Sequence, residues 1–305
     1  MIEYRGIQSQ QRRNNSNSLF LLALFPILLL GMFWVIVFFL NQRGGGNINF
    51  FTQAAPAVLV GIGLWFLIAW NINGKLIQWA TGSKPLERME NKRVYNIIEN
   101  LCIANGMKMP AVFVIEDDSL NAFASGINES TYSLTLSRGI INKLTDEELE
   151  GVAAHELTHI RNRDTRLLII SIIFVGVFSF LAEMAFRSIR FAGRRSNKNT
   201  GAIILVVVVV SALAYFLSLL LRFGISRSRE YMADAGAAEM TKKPYALANA
   251  LKKIAEDPCI EAVHNRDVAQ LFINNPEPAQ PRAWNNLFST HPPIEKRIEY
   301  LNQFV

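Results

Sequence analysis

Cysteine is nearly absent from this chain. The two that occur, Cys102 and Cys259, stand alone and form no CxxC pair. That excludes a disulfide framework and a thiolate metal centre, and it points to a reducing compartment for the polar part of the molecule. Histidine is almost as scarce, at four residues in 305. Charge is missing from long stretches. Leu19 to Leu40 and Ala54 to Trp70 hold none, 167–186 holds one acid (Glu183), and Gly201 to Leu221 holds none. A helix needs about 20 apolar residues to cross a bilayer, at ~1.5 Å rise per residue. All four runs reach or approach that length. Core helices are usually shorter and keep a polar stripe, which sets the first and fourth runs apart from them most clearly. The first run is longer than a signal-peptide core, and Asn41-Gln42-Arg43-Gly44 lacks the small residues of a cleavage site. It is expected to remain as an anchor.

What charge there is lies in informative places. The net charge is +6. Segment 74–166 carries eleven bases and thirteen acids, and 222–305 carries eleven and ten. The excess flanks the apolar runs instead: Arg5, Arg12 and Arg13 before the first, and Arg187, Arg190, Arg194, Arg195 and Lys198 between the third and fourth. Basic residues there meet headgroups and set topology. The lipid bilayer is thus an expected partner and nucleic acid is not.

These runs divide the chain. The expected order is a basic tail (1–18), hydrophobic helices at 19–40 and 54–73, a polar segment (74–166), hydrophobic helices at 167–186 and 201–221, and a second polar segment (222–305). In the first polar segment, helical spacing runs from Pro85 to Asn105. Ala111 to Ile115, Asn121 to Gly126 and Thr131 to Ser137 read as short strands. Thr145 and Glu148 form a capping box that starts another helix. No glycine or proline interrupts the chain between Val152 and Phe174, so this helix is expected to continue into the third run. Further helices are expected near 227–240, 244–256 and 292–304, with a Pro/Asn-rich stretch at 274–286.

The capped helix carries His155-Glu156-Leu157-Thr158-His159, an HExxH pattern. Residues four apart share a helix face, so both imidazoles can reach one ion. Glu156, between them, sits where it can touch a water on that ion. A catalytic zinc needs a third protein ligand. Glu230 and Asp234 are also four apart. One can bind metal while the other accepts the N–H of a ligand imidazole; Glu230 is taken as ligand and Asp234 as the imidazole's partner. Spacing alone leaves an ordinary pair of solvated acids equally open.

Taken together, the motifs resemble the HtpX heat-shock membrane proteases, relatives of the prenylated-protein metalloproteases of the Ste24 type. The matching residues are Asn121-Ala122-Phe123-Ala124; His155-Glu156-Leu157-Thr158-His159 with Asp164 five later; Ser226 to Ala237; and Thr290-His291-Pro292-Pro293 with Arg297. The resemblance covers nearly the whole chain. It implies a membrane-anchored, mostly α protein, with four hydrophobic helices and a gluzincin-like α+β protease domain containing a small sheet. It implies one zinc per chain on His155, His159 and Glu230, with Asp234 behind a ligand histidine and Glu156 as general base. His291 is implied as a stabiliser of the tetrahedral oxyanion; a structural histidine capping the last helix is the alternative. Arg297 is expected to brace an acidic group near the site. Asn121 to Ala124 would form an edge strand that pairs with extended substrate, although an ordinary strand would read the same.

The expected function is a zinc endopeptidase that cleaves misfolded or damaged membrane proteins. It is expected in the cell inner membrane, multi-pass, with its site on the cytoplasmic side. The basic tail places the N-terminus in the cytoplasm, and two crossings return the chain there. Runs three and four then cross as a hairpin or not at all. Crossing sends five bases outward, against the positive-inside tendency; not crossing leaves about forty apolar residues in need of shelter. The crossing hairpin is preferred. A channel or transporter fits less well, because the metal motif lies among Arg161, Arg163, Asp164 and Arg166 and the runs hold a single acid. An inactive scaffold is disfavoured by the intact Glu156.

Overall fold

Thr145 begins its helix as the sequence predicts. The Thr145 hydroxyl accepts from the Glu148 N–H at 3.3 Å, and the Glu148 carboxylate accepts from the Thr145 N–H at 2.8 Å. This closes the capping box and satisfies two otherwise orphaned donors. The helix belongs to a computed structural model that describes residues 7–42, 49–192, 198–256 and 292–304. His264, His291, Cys259 and the stretch 274–286 lie outside the described residues.

The elements are α1 (Ile7–Gln42), α2 (Asn49–Thr81), β1 (Lys84–Pro85), α3 (Lys92–Ala104), β2 (Ala111–Ile115), β3 (Ala122–Ser125), β4 (Ser133–Ser137), α4 (Arg138–Lys143), α5 (Asp146–Arg161), α6 (Asp164–Ala192), α7 (Lys198–Thr241), α8 (Pro244–Glu256) and α9 (Ile294–Leu301). The chain packs as two units. The first comprises Met1–Asn15, Asn73–Ile169 and Phe223–Val305; the second comprises Ser16–Ile72 and Ile170–Arg222.

In the first unit a four-stranded mixed sheet has the order β1-β2-β4-β3. β2 and β4 are parallel, while β1 and β3 add antiparallel at the two ends. α5 packs against β3, α3 and α8. Its residues Leu149, Val152, Ala153, Leu157 and Ile160 are all buried, and so are His155, Glu156 and Thr158. The stretch 151–158, buried on every face, must have its polar groups answered by neighbours.

Three expectations about this unit change. Lys84–Pro85 is a strand paired with Phe113–Val114, and the following helix starts only at Lys92, where Asn91 accepts from the Val94 N–H. α5 does not run on into the third hydrophobic run: it ends at Arg161, and Arg163 takes a left-handed φ of 62° before α6 starts at Asp164. The helix expected from 227 is continuous with the fourth run, in one 44-residue helix. α8 has the expected bounds.

Among the described residues, the second unit is helical. Phe25 of α1 stacks on Phe174 of α6 at 4.1 Å and meets Phe178 edge-on, while Phe66 of α2 approaches Phe174 at 6.3 Å. Ser211 of α7 contacts Met32 of α1. Among the described residues, two helical stretches are long and apolar enough to cross a membrane, Gln11–Phe39 and Asn49–Thr81. Leu19, Phe20, Ile27, Leu64, Trp65 and Leu67 on them are exposed, a surface suited to lipid and costly in water. The third and fourth runs are also helical, within α6 and α7.

Candidate metal centre

α5 supplies two imidazoles one turn apart, and α7 brings a carboxylate to them. His155 Nε2 and His159 Nε2 face each other at 3.2 Å. Glu230 Oε2 is 3.7 Å from the first and Glu230 Oε1 is 3.6 Å from the second. A tetrahedral zinc with Zn–N bonds of 2.0–2.1 Å separates its ligand atoms by about 3.3 Å. The three side chains therefore already define one face of such a tetrahedron, with a donor set of two nitrogens and one oxygen.

The approach of α7 depends on Gly236. A Cβ there would lie 2.4 Å from Thr158 Cγ2, so only glycine lets the two helices pass this closely. Thr158 turns its hydroxyl back to the Ala154 carbonyl at 2.8 Å.

Each imidazole is aimed from behind. Asp234 Oδ1 lies 3.0 Å from His155 Nδ1, and Asp164 Oδ2 lies 2.9 Å from His159 Nδ1. A proton on each Nδ1 then leaves each Nε2 with a lone pair directed at the common centre. Two such lone pairs 3.2 Å apart repel unless a cation or a proton lies between them. Burial and the neighbouring Arg297 pull the His155 pKa down, but hydrogen bonds to Asp234 and Glu230 prevail and push it up to about 9.

Arg297 of α9 completes the first of these arms. It is fully buried and grips Asp234 with two hydrogen bonds, Nε to Oδ2 at 2.9 Å and Nη2 to Oδ1 at 2.7 Å. Its Nη1 also lies 3.5 Å from Glu230 Oε2. Burial works against both charges. Even so, Arg297 and His155 hold Asp234 below the usual carboxylate range, and the carboxylates of Asp234, Glu230 and Glu156 bind the arginine proton more firmly still. The expectation that Arg297 braces an acid is met, and that acid is Asp234. Glu156, 2% exposed, sits between the two imidazoles in the sequence of α5.

Two supporting residues escaped the sequence reading. Asp164 was legible as part of a motif but not as the partner of His159; the helix break at Arg163 is what turns it there. Asn14 gave no signal at all, and its Nδ2 lies 2.5 Å from Asp164 Oδ1. β3 stands at the end of the strand order beside α5, yet Asn121, Ala122, Phe123 and Ala124 are buried to within 4%. His291 lies outside the described residues.

The sequence profile of Peptidase family M48 matches residues 88–305. Two proteins from strains of Bacteroides fragilis, each named Protease HtpX homolog, are 54% identical over 99% of this chain and 100% of their own length. A Protease HtpX homolog of Dictyoglomus turgidum is 39% identical over 79% of this chain and 81% of its length. Among solved structures, Ste24p of S. mikatae is similar in fold, with a TM-score of 0.50 at 19% identity, over 89% of this chain and 61% of that one.

Proposed function

The chain belongs to peptidase family M48 and is a metalloprotease; from that premise we propose that it is a multi-pass membrane zinc endopeptidase that cleaves misfolded or damaged membrane proteins from the cytoplasmic side. The observation that carries the zinc assignment is the convergence of His155, His159 and Glu230, whose ligand atoms all lie within 4.8 Å of one another. Zinc held there would supply Lewis-acid activation of both a water and the scissile carbonyl.

The chain's own groups do the rest. Asp234 and Asp164 hold the two imidazoles in one tautomer and one orientation. Glu156 takes the proton from the attacking water and returns it to the leaving amine. By the family resemblance, His291 polarises the developing oxyanion and the main chain at Asn121–Ala124 pairs with extended substrate. Main-chain pairing demands little of the substrate's sequence, which suits an enzyme that removes diverse damaged chains.

The deciding assay is cleavage of an unfolded protein substrate by the full-length protein in detergent. Activity is expected with zinc and should vanish with chelator and in Glu156→Gln. Glu230→Ala should arrive nearly metal-free by elemental analysis; wild-type zinc content in it would remove Glu230 from the ligand set. The membrane side has its own test. Met89, 76% exposed, replaced by cysteine in a chain lacking Cys102 and Cys259, should react with an impermeant thiol reagent only after the membrane is opened. Labelling of intact cells would place the site outside.

A further inference from the structure

The imidazole–carboxylate pair at His159 is held by a residue from the far end of the chain. α1 begins at Ile7, before the first hydrophobic run, and its opening turns lie in the same unit as the metal centre. There Asn14 is 2% exposed. Its side-chain amide donates to Asp164 Oδ1 at 2.5 Å and to the Asn162 carbonyl at 2.9 Å. Asp164 in turn presents its other oxygen, Oδ2, to His159 Nδ1. Asp164 is itself 3% exposed. A buried carboxylate needs donors on both oxygens, and here one oxygen faces the ligand imidazole while the other faces Asn14.

This arrangement solves a local problem. Asp164 is the first residue of α6, directly after the strained Arg163. Asn14 engages the oxygen that does not face His159, and by also gripping the Asn162 carbonyl it holds the helix break against the start of α1. One turn earlier Gln11 donates to the Arg161 carbonyl at 2.7 Å, which docks α1 to the same corner without touching Asp164.

We propose that Asn14 is a positioning residue for the metal centre: it orients Asp164, and through it His159, so that the segment before the first hydrophobic run sets how tightly zinc is held. The proposal rests on the zinc assignment made above. It gives the N-terminal segment a role in the chemistry beyond carrying basic residues to the membrane surface.

The test is zinc affinity, by chelator competition on the full-length protein in detergent, for four variants. Asn14→Ala should weaken zinc binding about tenfold, at the lower end of what a hydrogen-bonded partner behind a ligand contributes. Gln11→Ala should leave affinity within about twofold, because it removes docking without touching Asp164. Asp164→Ala should weaken binding about 10- to 100-fold, and adding Asn14→Ala to it should cost nothing further. A full effect of Asn14→Ala in the Asp164→Ala background would overturn the proposal, as would equal effects of Gln11→Ala and Asn14→Ala. If Asn14→Ala does not fold, Asn14→Asp takes its place. It sets a carboxylate against Asp164 and must weaken zinc by at least as much, and only while Asp164 is present. A wild type that binds no zinc would instead sink the metal assignment itself, an outcome distinct from either of these.

Discussion

The two imidazoles of the candidate metal centre are chemically identical, four residues apart on one helix, and supported in opposite ways. His155 is wholly buried; its partner Asp234 comes from another helix and is neutralised by a buried arginine from a third. The side chain of His159 is 14% exposed, its partner Asp164 follows five residues later, and the group behind that is a neutral amide. The first arm is a buried charge network that gains strength from low dielectric but leaves a naked charge if any member is lost. The second is a short chain of hydrogen bonds that ends in a neutral amide, so losing that last group leaves no second charge unpaired. One candidate metal site thus joins a rigid, charged support to one that ends in a neutral group.

The largest expected effect leaves both arms intact. Glu156→Gln should lower cleavage about 10²- to 10⁴-fold, the usual contribution of a general base, with zinc content unchanged by elemental analysis. Loss of zinc along with activity would mean that Glu156 supports the ligands and is not the base. Next comes the rigid arm. Arg297→Leu strands Asp234 in the interior and should destabilise the metal-free protein by about 3–5 kcal/mol in thermal or denaturant melts; a wild-type melt would show that the network is not the support it resembles. The contrast itself is sharpened by Asp234→Asn against Asp164→Asn. Each should weaken zinc about 10- to 100-fold, with Asp234→Asn the worse because it also takes from Arg297 the carboxylate that grips it with two hydrogen bonds. Equal losses would abolish the distinction between the arms.

The smallest effect lies away from both. Glu148 forms a 2.7 Å ion pair with Lys253 of α8. Burial opposes its ionisation, but Lys253 and Thr145 prevail and hold its pKa below the usual value. Its stabilising effect is therefore fully present above about pH 4.5 and is lost as pH falls through the lowered folded value. Glu148→Gln keeps the capping box and should cost roughly 0.5–1 kcal/mol at neutral pH, with a flatter acid limb of the stability profile. Zinc affinity should not change.

What the sequence disclosed follows the range of the forces involved. The capping box at Thr145 and the start of α8 at Pro244 are decided within one turn, and both are where the sequence places them. The HExxH pair needed only helical spacing. Glu230 and Asp234 needed the family resemblance, because two acids four apart are common on surfaces. The break at Arg163 could not be read: a left-handed arginine is unfavourable by itself and persists because Asp164 is bonded to His159 and Asn14. The strand at Lys84–Pro85 was hidden because pairing with Phe113–Val114 overrode a helical spacing whose true start is the Asn91 cap. Asn14 lies 150 residues from Asp164, beyond the reach of any local pattern.

The site's dimensions are set by an atom that is missing. Gly236 lies six residues beyond Glu230 on α7, about 9 Å along the axis. A single added carbon would press 2.4 Å from Thr158 Cγ2, roughly 1 Å inside ordinary contact distance. Zinc–ligand bonds tolerate about 0.2 Å. In the language of tolerances, the clearance between two helices is the gauge for any coordination sphere built on His155, His159 and Glu230. The smallest of side chains would therefore guard the bond lengths of a doubly charged ion.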